Sequence, residues 1–423
     1  MTVRRVMPEP AVGSVRAPPS KSYTHRALVA GHLTGHAYAV RSPLDADDTR
    51  ATARAVTTLG TRVLYRPACW MLEKRRTSSA RDRSIDCGES GTTLRFVAAL
   101  AARGTEPVTL LGRGRLPQRP IEPLWTALEQ LGATCERPNG RRGLPTVVRG
   151  PVHGGSVALD ASVSSQFASS LLLALPTVEG SSLLELHGPV VSEPYIEATL
   201  AVLRFHRVRV DRRGRQFRIP GGQSYSGRGM TVPGDASSAA YLWAAAALTG
   251  GCVTVRGVST DWPQADLAIL PILRQAGARV RVRRDGATVE GGTLRPFSVD
   301  LTGAPDLYPL AGVLAAAIPG TSELRGAPQV VHKESDRRAE TVTLVRKMGA
   351  DARPTKRGLS VRGTARPRGF RLPGLTDHRI VMSAAVAARA AASPSVIGDA
   401  RAVAKSFPVF WNVLASLREG EPS

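Results

Sequence analysis

The stretch TTLGTRVLY, residues 57–65, joins a helix-like run to a β-prone run through a single glycine, Gly60. Four later stretches have the same form: EQLGATCER, LRFHRVRVD, RQAGARVRV and RKMGADARP. Intervals of 72, 74, 71 and 72 residues separate the successive turn positions, which after Gly60 are Gly132, His206, Gly277 and Gly349. Because glycine readily adopts the left-handed conformation that ends a helix, each stretch predicts a helix C-terminus followed by a strand.

The periodicity predicts six units of mixed helix and strand, since the chain ends about one period after the last turn, following FPVFWNVLASLREG. Such units are too long for solenoid repeats and short for independent domains. We therefore expect an α/β fold of two similar halves with three units each. The boundary is predicted near MTVPGDASSAAYLWAAAALTGG, where a new helix begins at about Asp235, and the cleft between the halves is the default ligand site.

Composition excludes several classes of protein. With 423 residues, 42% of them hydrophobic, the chain can bury the cores of two domains. No apolar run reaches the roughly 18 residues of a membrane span, and MTVRRVMPEP is not a secretory signal. Four distant cysteines without a C-x-x-C pair argue against a disulfide framework or a zinc site, so we expect a cytoplasmic protein with no membrane contact.

The formal net charge of +23 raises the possibility of nucleic-acid binding. Against it, the basic residues are spread along the chain, aromatic residues make up only 5%, and no nucleic-acid-binding motif is present. No Lys or Arg lies between Arg149 and Arg204, which indicates core and site rather than a binding face. A basic field equally attracts small polyanionic substrates, and this is the interpretation we favour.

Lysine is rare in this chain, with 6 residues against 51 arginines. A retained lysine therefore suggests a need for a compact ammonium that approaches a reacting atom and exchanges a proton. Three of the six lie in the polar clusters described next: Lys21, Lys333 and Lys405.

The polar clusters of the first half are APPSKSYTHRAL (17–28), CGESGTTLRF (87–96), GRGRLPQRP (112–120) and SVSSQFASSLLLALP (162–176). The first places donors between a proline corner and a helix start, where free N–H groups attract anions. In the second, glycines allow close backbone approach to an anion. The third suits a carboxylate or phosphate clamp, and the fourth offers neutral donors. Capped helices and solvated basic turns explain each cluster equally well when it is taken alone.

The second half contributes VVHKESDRRAE (330–340) and TDHRIVMSAA (376–385) with VAKSFPVF (403–410). Lys333 and Arg337 are four residues apart, which predicts two cations on one helical face, while Glu334 is an acid or base if shielded from water. The alternative is an exposed charged helix. Together the clusters predict a cleft lined by basic residues: Lys21, Arg26, Arg95, Arg115, Lys333, Arg337, Arg379 and Lys405. Negative charge comes from Glu334, Asp306 and Asp235, a combination that suits two polyanions and proton transfer.

These motifs resemble the 5-enolpyruvylshikimate-3-phosphate synthase (3-phosphoshikimate 1-carboxyvinyltransferase) family of enolpyruvyl transferases. The likeness runs in order through APPSKSYTHRA, SGTTLRF, RPIEPL, SSQF, SEPYIEATL, GDASSAAY, PDLYPLAGVLAA, HKESDR, DHRIVM and KSFPVFW. The APPSKSYTHR and KESDR forms are similar to archaeal-type members. The resemblance implies a two-lobed α/β fold of six βαβαββ repeats, three per lobe. Lobe I then comprises residues 1–19 plus 234–423, lobe II comprises 20–233, and the active site occupies the interlobe cleft.

The resemblance also implies the roles of individual residues. The acceptor, shikimate 3-phosphate, is expected to contact Ser22, Arg26, Ser164, Ser165, Gln166, Ser192, Tyr195, Asp306 and Lys333. Phosphoenolpyruvate is expected to contact Lys21, Gly91, Arg115, Arg337, Arg379 and Lys405. The acceptor hydroxyl adds to C2 of phosphoenolpyruvate as C3 gains a proton, and the tetrahedral intermediate then expels phosphate. Lys21, Asp306 and Glu334 are the expected proton-transfer residues, and no metal or organic cofactor takes part. A monomer whose lobes close on substrate is expected.

Alternatives to this activity concern the acceptor and the presence of catalysis. The sister family that acts on a UDP-sugar typically carries a reactive cysteine in the loop corresponding to GRGRLPQRP, and none occurs here. Glu89 stands where the family usually has Asn, and Gln329 where the enterobacterial form has Asn. These departures, with the high basicity, leave open a divergent transferase that acts on another phosphorylated acceptor, such as the nucleotide UMP, in antibiotic biosynthesis. A non-enzymatic binding protein is disfavoured because Asp306 and Glu334 are both present.

Overall fold

The computed structural model of this chain describes residues 2–74, 83–137, 143–374 and 376–418. Its helices are α1 (Lys21–Thr34), α2 (Asp47–Thr58), α3 (Gly91–Ala101), α4 (Glu122–Gln130), α5 (Ser165–Ala174), α6 (Pro194–Phe205), α7 (Ala236–Thr249), α8 (Ile269–Gln275), α9 (Tyr308–Ala316), α10 (Arg337–Lys347), α11 (His378–Arg389) and α12 (Phe410–Ser416). No helix in these residues is both long and apolar enough to cross a membrane.

The strands alternate with the helices along most of the chain, as the mixed pattern predicts for an α/β fold. They are β1 (Arg4–Val6), β2 (Val12–Arg16), β3 (Tyr38–Arg41), β4 (Thr61–Arg66), β5 (Cys69–Lys74), β6 (Ser84–Asp86), β7 (Val108–Leu111), β8 (Thr134–Glu136), β9 (Thr146–Arg149), β10 (Ser156–Asp160), β11 (Ser182–His187), β12 (Asp211–Arg213), β13 (Gln216–Ile219), β14 (Gly229–Thr231), β15 (Cys252–Arg256), β16 (Arg279–Arg283), β17 (Gly286–Glu290), β18 (Ser298–Asp300), β19 (Gly320–Arg325), β20 (Asp351–Thr355), β21 (Gly358–Gly363), β22 (Arg371–Leu372) and β23 (Ser395–Ile397).

The chain forms two compact units, one of Met1–Pro18 with Pro233–Ser423 and one of Pro19–Val232. We call the first the discontinuous unit and the second the continuous unit. Within the described residues, the sheets of the continuous unit have the orders β14-β3-β5-β4, β6-β7-β9-β8 and β10-β11-β13-β12. Those of the discontinuous unit are β2-β15-β17-β16, β18-β19-β21-β20 and β22-β23-β1.

Every one of these sheets begins with a parallel pair and continues with antiparallel neighbours. A helix connects the members of a parallel pair that are close in sequence, such as α5 between β10 and β11. The next helix then leads to the antiparallel strands, as α6 does before β12 and β13. Several predicted site residues lie at the N-termini of helices that follow a parallel strand, such as Lys21 in α1, Gly91 in α3 and Ser165 in α5.

The predicted helix ends occur where expected, with one correction. Gly60, Gly132, Gly277 and Gly349 have φ values of 101°, 100°, 104° and 87°, in the left-handed region where a residue without Cβ is unstrained. His206 instead is the residue directly after α6, with φ −91°. Arg207, one position later, takes the left-handed conformation with φ 58°. The turn residue was therefore misplaced by one because no glycine marks it.

Polar caps hold the helices that begin near the site residues. Ser90 accepts a hydrogen bond from Thr93 N before α3, and Ser164 accepts one from Gln166 N before α5. Asp235 and Asp377 do the same before α7 and α11. α7 and α9 are almost wholly buried and apolar, so both helices lie in the core.

Candidate active site

In the continuous unit, Lys21 is the first residue of α1 and lies next to an acid that the sequence did not single out. Its Nζ is 3.0 Å from Oδ2 of Asp48, the second residue of α2. The Lys21 side chain is 16% exposed, so the ammonium remains accessible while the carboxylate holds it in one place. A positioned, partly exposed ammonium is suited to contact an anion or to transfer a proton.

Arg26 is buried in the middle of α1 and connects two helices. Its Nε donates to Thr199 Oγ1 at 2.9 Å, and Nη2 donates to the Tyr195 carbonyl at 2.8 Å, both in α6. Nη1 donates to the Ser22 carbonyl at 2.9 Å, and the guanidinium lies over the Phe96 ring. Burial lowers the pKa of Arg26 to about 10, so it stays charged at neutral pH.

Two guanidinium groups meet at the N-terminus of α3. A Cβ atom added to Gly91, the first residue of that helix, would lie 2.4 Å from Arg95 Nη1 and 2.9 Å from Arg119 Nη1. An added side chain here would require both guanidinium groups to shift. Arg95 and Arg119 are both buried, and together with the positive end of α3 they form a site suited to an anion.

The arginines of the loop 112–120 differ in burial. Arg115, expected at phosphoenolpyruvate, is exposed at the start of the short helix Leu116–Gln118. Arg119, four residues later, is buried beside Gly91. The role of Arg115 stays a prediction, and Arg119 is a further candidate from the same loop.

The predicted neutral donors are linked to this arginine pair. Gln166 Oε1 accepts from Arg95 Nη1 at 2.9 Å, and Gln166 Nε2 donates to Thr92 Oγ1 at 3.0 Å. Ser164 caps α5, and Ser165 is its buried first residue. The structure therefore brings Gly91, Arg95 and Gln166 together at the first turns of α3 and α5.

Ser192 and Tyr195 lie at the start of α6. Ser192 is buried and has φ 57°, a left-handed conformation that is costly for a residue with a Cβ and that recurs at functional sites. Tyr195 N donates to the Ser192 carbonyl at 3.1 Å. Because the Tyr195 carbonyl accepts from Arg26, the predicted acceptor-binding residues Arg26 and Tyr195 are connected directly.

In the discontinuous unit, one carboxylate is the centre of the charged cluster. Asp306 Oδ1 lies 2.7 Å from Arg337 Nη1 and 3.4 Å from Lys333 Nζ. Asp306 Oδ2 lies 2.7 Å from Arg379 Nη2. Burial by itself would raise the pKa of Asp306, but Arg379, Lys333 and Arg337 hold it well below its usual range. Asp306 is therefore ionised at neutral pH.

Arg337 is the most enclosed cation of this cluster, with 1% of its side chain exposed. Its Nε donates to Asp377 Oδ2 at 2.7 Å and its Nη2 donates to Glu334 Oε2 at 2.7 Å. Burial opposes the charge, but Asp377, Glu334 and Asp306 outweigh it and raise the pKa of Arg337 above its ordinary value. The guanidinium is thus held rigidly from three sides.

The prediction that Lys333 and Arg337 share one helical face is wrong. Lys333 follows the short helix Pro328–His332 in extended backbone, and α10 begins only at Arg337. Asp336 causes the delay, because its side chain accepts from Ala339 N and so caps the helix. The two cations nevertheless converge, because both contact Asp306.

The remaining predicted cations lie on α11 and after β23. Arg379 is the second residue of α11, and its backbone N donates to Asp377 Oδ1 at 2.9 Å. Lys405 ends the short helix Ala400–Lys405 and donates to the Thr376 carbonyl at 3.1 Å. Asp235, suggested as a source of negative charge, accepts from Ser238 N and Oγ at the start of α7 and acts as a helix cap.

The two departures from the family pattern have defined places. Glu89 precedes the cap of α3, and a Cβ atom added to Gly114 would lie 2.5 Å from its Oε1. Gln329 is buried within the short helix Pro328–His332. Glu89 therefore lies close in sequence to Gly91, and Gln329 lies close in sequence to Lys333.

Sequence reasoning did not single out Asp48 or Asp266, and it named Arg119 only as one arginine of the loop 112–120. Asp266 is buried, accepts from the Ser237 hydroxyl and lies 3.9 Å from Arg379 Nη1. Asp48 and Asp266 occur in ADDTR and QADLA, which read as ordinary acidic helix starts. Their position in the sequence repeat could have indicated them. Asp48 follows β3 and Asp266 follows β15, just as Lys333 follows β19 and Lys405 follows β23.

Comparison with known proteins identifies the family of this chain. The sequence profile of EPSP synthase (3-phosphoshikimate 1-carboxyvinyltransferase) matches residues 7–414. The 3-phosphoshikimate 1-carboxyvinyltransferase of Methanocorpusculum labreanum is 38% identical over 400 residues, covering 94% of both chains. The protein of that name from Halobacterium salinarum is 40% identical over 421 residues, covering 97% of this chain and 98% of the relative.

The fold agrees with a solved structure of the same class. EPSP synthase from Acinetobacter baumannii superposes with a TM-score of 0.81 at 24% identity, over 99% of this chain and 98% of that one. The family profile and the fold define an enolpyruvyl transferase. The chain belongs to the EPSP synthase family.

Proposed function

We propose that this enzyme transfers the enolpyruvyl group of phosphoenolpyruvate to the 5-hydroxyl of shikimate 3-phosphate and releases phosphate. This is the shikimate-pathway step, in aromatic amino acid biosynthesis, for which its relatives are named. The observation that carries the proposal is the cluster around Asp306, in which one ionised carboxylate contacts Lys333, Arg337 and Arg379. Two anionic substrates and a proton-transfer reaction need this combination of cations and a carboxylate.

The reaction has two steps. The 5-hydroxyl oxygen attacks C2 of phosphoenolpyruvate and loses its proton, while C3 of the double bond gains a proton and becomes a methyl group. The tetrahedral intermediate then loses a proton from that methyl group, the double bond reforms, and the C2–O bond to phosphate breaks. Asp306 is ionised, so it is suited to accept the hydroxyl proton. Lys21 and Glu334 complete the set of proton-transfer residues that we propose.

Substrate binding is assigned to the remaining residues. Phosphoenolpyruvate is held by Lys21, Gly91, Arg115, Arg337, Arg379 and Lys405, with Arg119 as a further candidate. Support for Arg119 comes from its burial beside Gly91, at the positive end of α3. The acceptor is held by Ser22, Arg26, Ser164, Ser165, Gln166, Ser192, Tyr195, Asp306 and Lys333. We propose that the protein is monomeric and cytoplasmic.

The test is phosphate release from phosphoenolpyruvate with shikimate 3-phosphate, run in parallel with UMP as acceptor. We expect release with the shikimate ester alone. Release with UMP alone would contradict the proposed acceptor, and Glu89 and Gln329 would then be the first residues to exchange. No release with either acceptor would contradict the transferase activity itself.

Lys21→Ala tests the role of the first cluster. We expect kcat to fall about 100-fold or more, because a general acid–base residue contributes that much, while the circular dichroism spectrum stays unchanged. The matched control is Lys74→Ala, at the exposed end of β5 in the same unit, which should retain full activity. Near-normal turnover by Lys21→Ala would remove Lys21 from the mechanism.

A further inference from the structure

Asp266 is a buried acid to which the proposed reaction gives no role. It lies in the short helix Ala265–Ala268, directly before α8, and is 1% exposed. Its Oδ2 accepts a hydrogen bond from the Ser237 hydroxyl in the first turn of α7. Its Oδ1 is buried and has no hydrogen-bond partner among the described residues.

Packing does not account for an acid at this position. A buried carboxylate with one unsatisfied oxygen destabilises the fold, and an apolar side chain of similar volume would fill the space at lower cost. A strongly perturbed acid of this kind is more characteristic of functional sites. The charge of Asp266 is therefore best explained by the group that it faces.

That group is Arg379. The two ends of the Arg379 guanidinium lie between two carboxylates, with Nη1 3.9 Å from Asp266 Oδ2 and Nη2 2.7 Å from Asp306 Oδ2. Asp306 forms ion pairs with Arg379, Arg337 and Lys333. Arg379 is the one Lys or Arg side chain of the described residues that forms an ion pair with Asp266.

We propose that Asp266 is a positioning residue, which fixes the orientation of Arg379 for phosphoenolpyruvate. The inference rests on the proposed function, in which Arg379 binds that substrate. Asp306 loses its negative charge when it accepts the hydroxyl proton, and its attraction for Arg379 falls at that moment. Asp266 takes no part in proton transfer, so it holds the guanidinium in place throughout the reaction.

This role depends on pH, because burial raises the pKa of Asp266 to about 6, although Arg379 opposes the shift. The other groups that face it are Asp306 from the turn before α9, Asp235 from the cap of α7, and Ser237 and Tyr241 from α7 itself. Above about pH 6 the carboxylate is ionised and holds Arg379. Below that pH it is protonated, and the electrostatic hold on Arg379 is lost.

The principal test is the KM for phosphoenolpyruvate of Asp266→Asn, which removes the charge and keeps the shape. At pH 8 we expect KM to rise about tenfold, as for a weakened buried charge pair, with kcat and the KM for shikimate 3-phosphate changed less than about threefold. The phosphate of phosphoenolpyruvate titrates near pH 6 as well. The variant-to-wild-type ratio of KM values cancels that effect, and it should fall towards one as the pH is lowered from 8 to 5.

Asp261→Asn is the matched control, since Asp261 is an exposed acid of the same unit that pairs with Arg284. Its KM ratio should stay at one across the pH range. A double variant with Arg379→Lys adds a second readout. If Asp266 acts through Arg379, the double variant should be no worse than Arg379→Lys alone.

If Asp266→Asn does not fold, Ser237→Ala tests the same idea. The Ser237 hydroxyl stabilises the ionised form of Asp266, so its removal should raise the pKa of that acid. The KM for phosphoenolpyruvate, which should rise as Asp266 is protonated, should then begin to rise at a higher pH than in the wild type, with full activity kept at pH 8. An unchanged pH profile overturns the inference, as does an Asp266→Asn KM within about twofold of wild type, or an equal rise for both substrates. If the wild type itself releases no phosphate, the proposed function fails, and this inference fails with it.

Discussion

Among single residues, Gly91 links local geometry most directly to the proposed chemistry. It begins α3, and the side chains of Arg95 and Arg119 fill the space that a Cβ atom would need. Arg95 also holds Gln166 through its Nη1. The absent methyl group thus leaves room for two guanidinium groups, one of which donates to the Gln166 amide.

Gly91→Ala should therefore weaken phosphoenolpyruvate binding while leaving the fold intact. The new Cβ would lie 2.4 Å from Arg95 Nη1, so the guanidinium groups must move away from the N-terminus of α3. We expect KM for phosphoenolpyruvate to rise about tenfold or more, since misplacing a binding group by about 1 Å has large effects. Steady-state kinetics with both substrates varied measures this.

The control for that variant is Gly104→Ala, just after α3, where an added Cβ would meet nothing nearer than the Ala101 carbonyl at 3.8 Å. Its kinetics should match the wild type. If Gly91→Ala also has wild-type KM values, the arginine pair beside Gly91 does not bind phosphoenolpyruvate.

Within the secondary-structure elements, the helix that precedes β12 ends differently from its counterparts. α2, α4, α8 and α10 are each followed by a left-handed glycine, whereas α6 is followed by Arg207 with φ 58°. A left-handed conformation costs a residue with a Cβ about 1–2 kcal/mol. Arg207 is exposed, and no hydrogen bond of its side chain offsets this cost in the described structure.

Arg207→Gly should stabilise the protein by about 0.5–1 kcal/mol. The change relieves the left-handed strain, and the greater backbone entropy of glycine in the unfolded state offsets part of that gain. Urea unfolding measures the change. Arg209→Gly, two residues later and without positive φ, is the control and should destabilise by about 0.5–1 kcal/mol. Equal effects of the two changes would show that the conformation at 207 carries no strain.

The pairing of elements also explains why Lys333 and Arg337 converge without sharing a helix. Spacing along the chain predicts a common face only if the helix includes both positions. Asp336 starts α10 too late for that. Asp306, thirty residues earlier in a different segment, brings the two cations together. Lys333 and Arg337 are therefore neighbours because both pair with Asp306, and not because they share a helical face.

For the whole molecule, the division of the chain predicts that the continuous unit folds by itself. Its sheets use only strands from Pro19–Val232, including β14, which pairs in parallel with β3. A fragment of residues 19–232 should unfold cooperatively and show no transferase activity, because Asp306, Lys333 and Arg379 are absent from it. Circular dichroism during urea unfolding measures the first expectation.

A second fragment, residues 19–226, is the matched comparison because it lacks β14. Met230 is buried in β14, and its loss removes apolar contacts and the parallel partner of β3. We expect this fragment to be less stable by about 2–3 kcal/mol or more. Equal stability of the two fragments would show that β14 is not needed for the core of this unit.

Much of the local structure followed from residue types and spacing. The glycines at 60, 132, 277 and 349 indicated helix ends because their conformational freedom is a property of the residue itself. The polar clusters indicated helix starts because capping acts within one turn of the chain. Resemblance of the ordered motifs was enough to identify the family, which the comparisons confirm.

Only the tertiary structure decided which charged groups are neighbours. Arg115 and Arg119 are alike in sequence, yet packing exposes the first and buries the second beside Gly91. Asp48 and Asp266 read as helix-start acids until Lys21 and Arg379 are found next to them. Caps and turns depend on forces between residues a few positions apart, whereas charge pairing joins distant segments, 27 residues apart for Lys21 and Asp48 and 113 apart for Asp266 and Arg379.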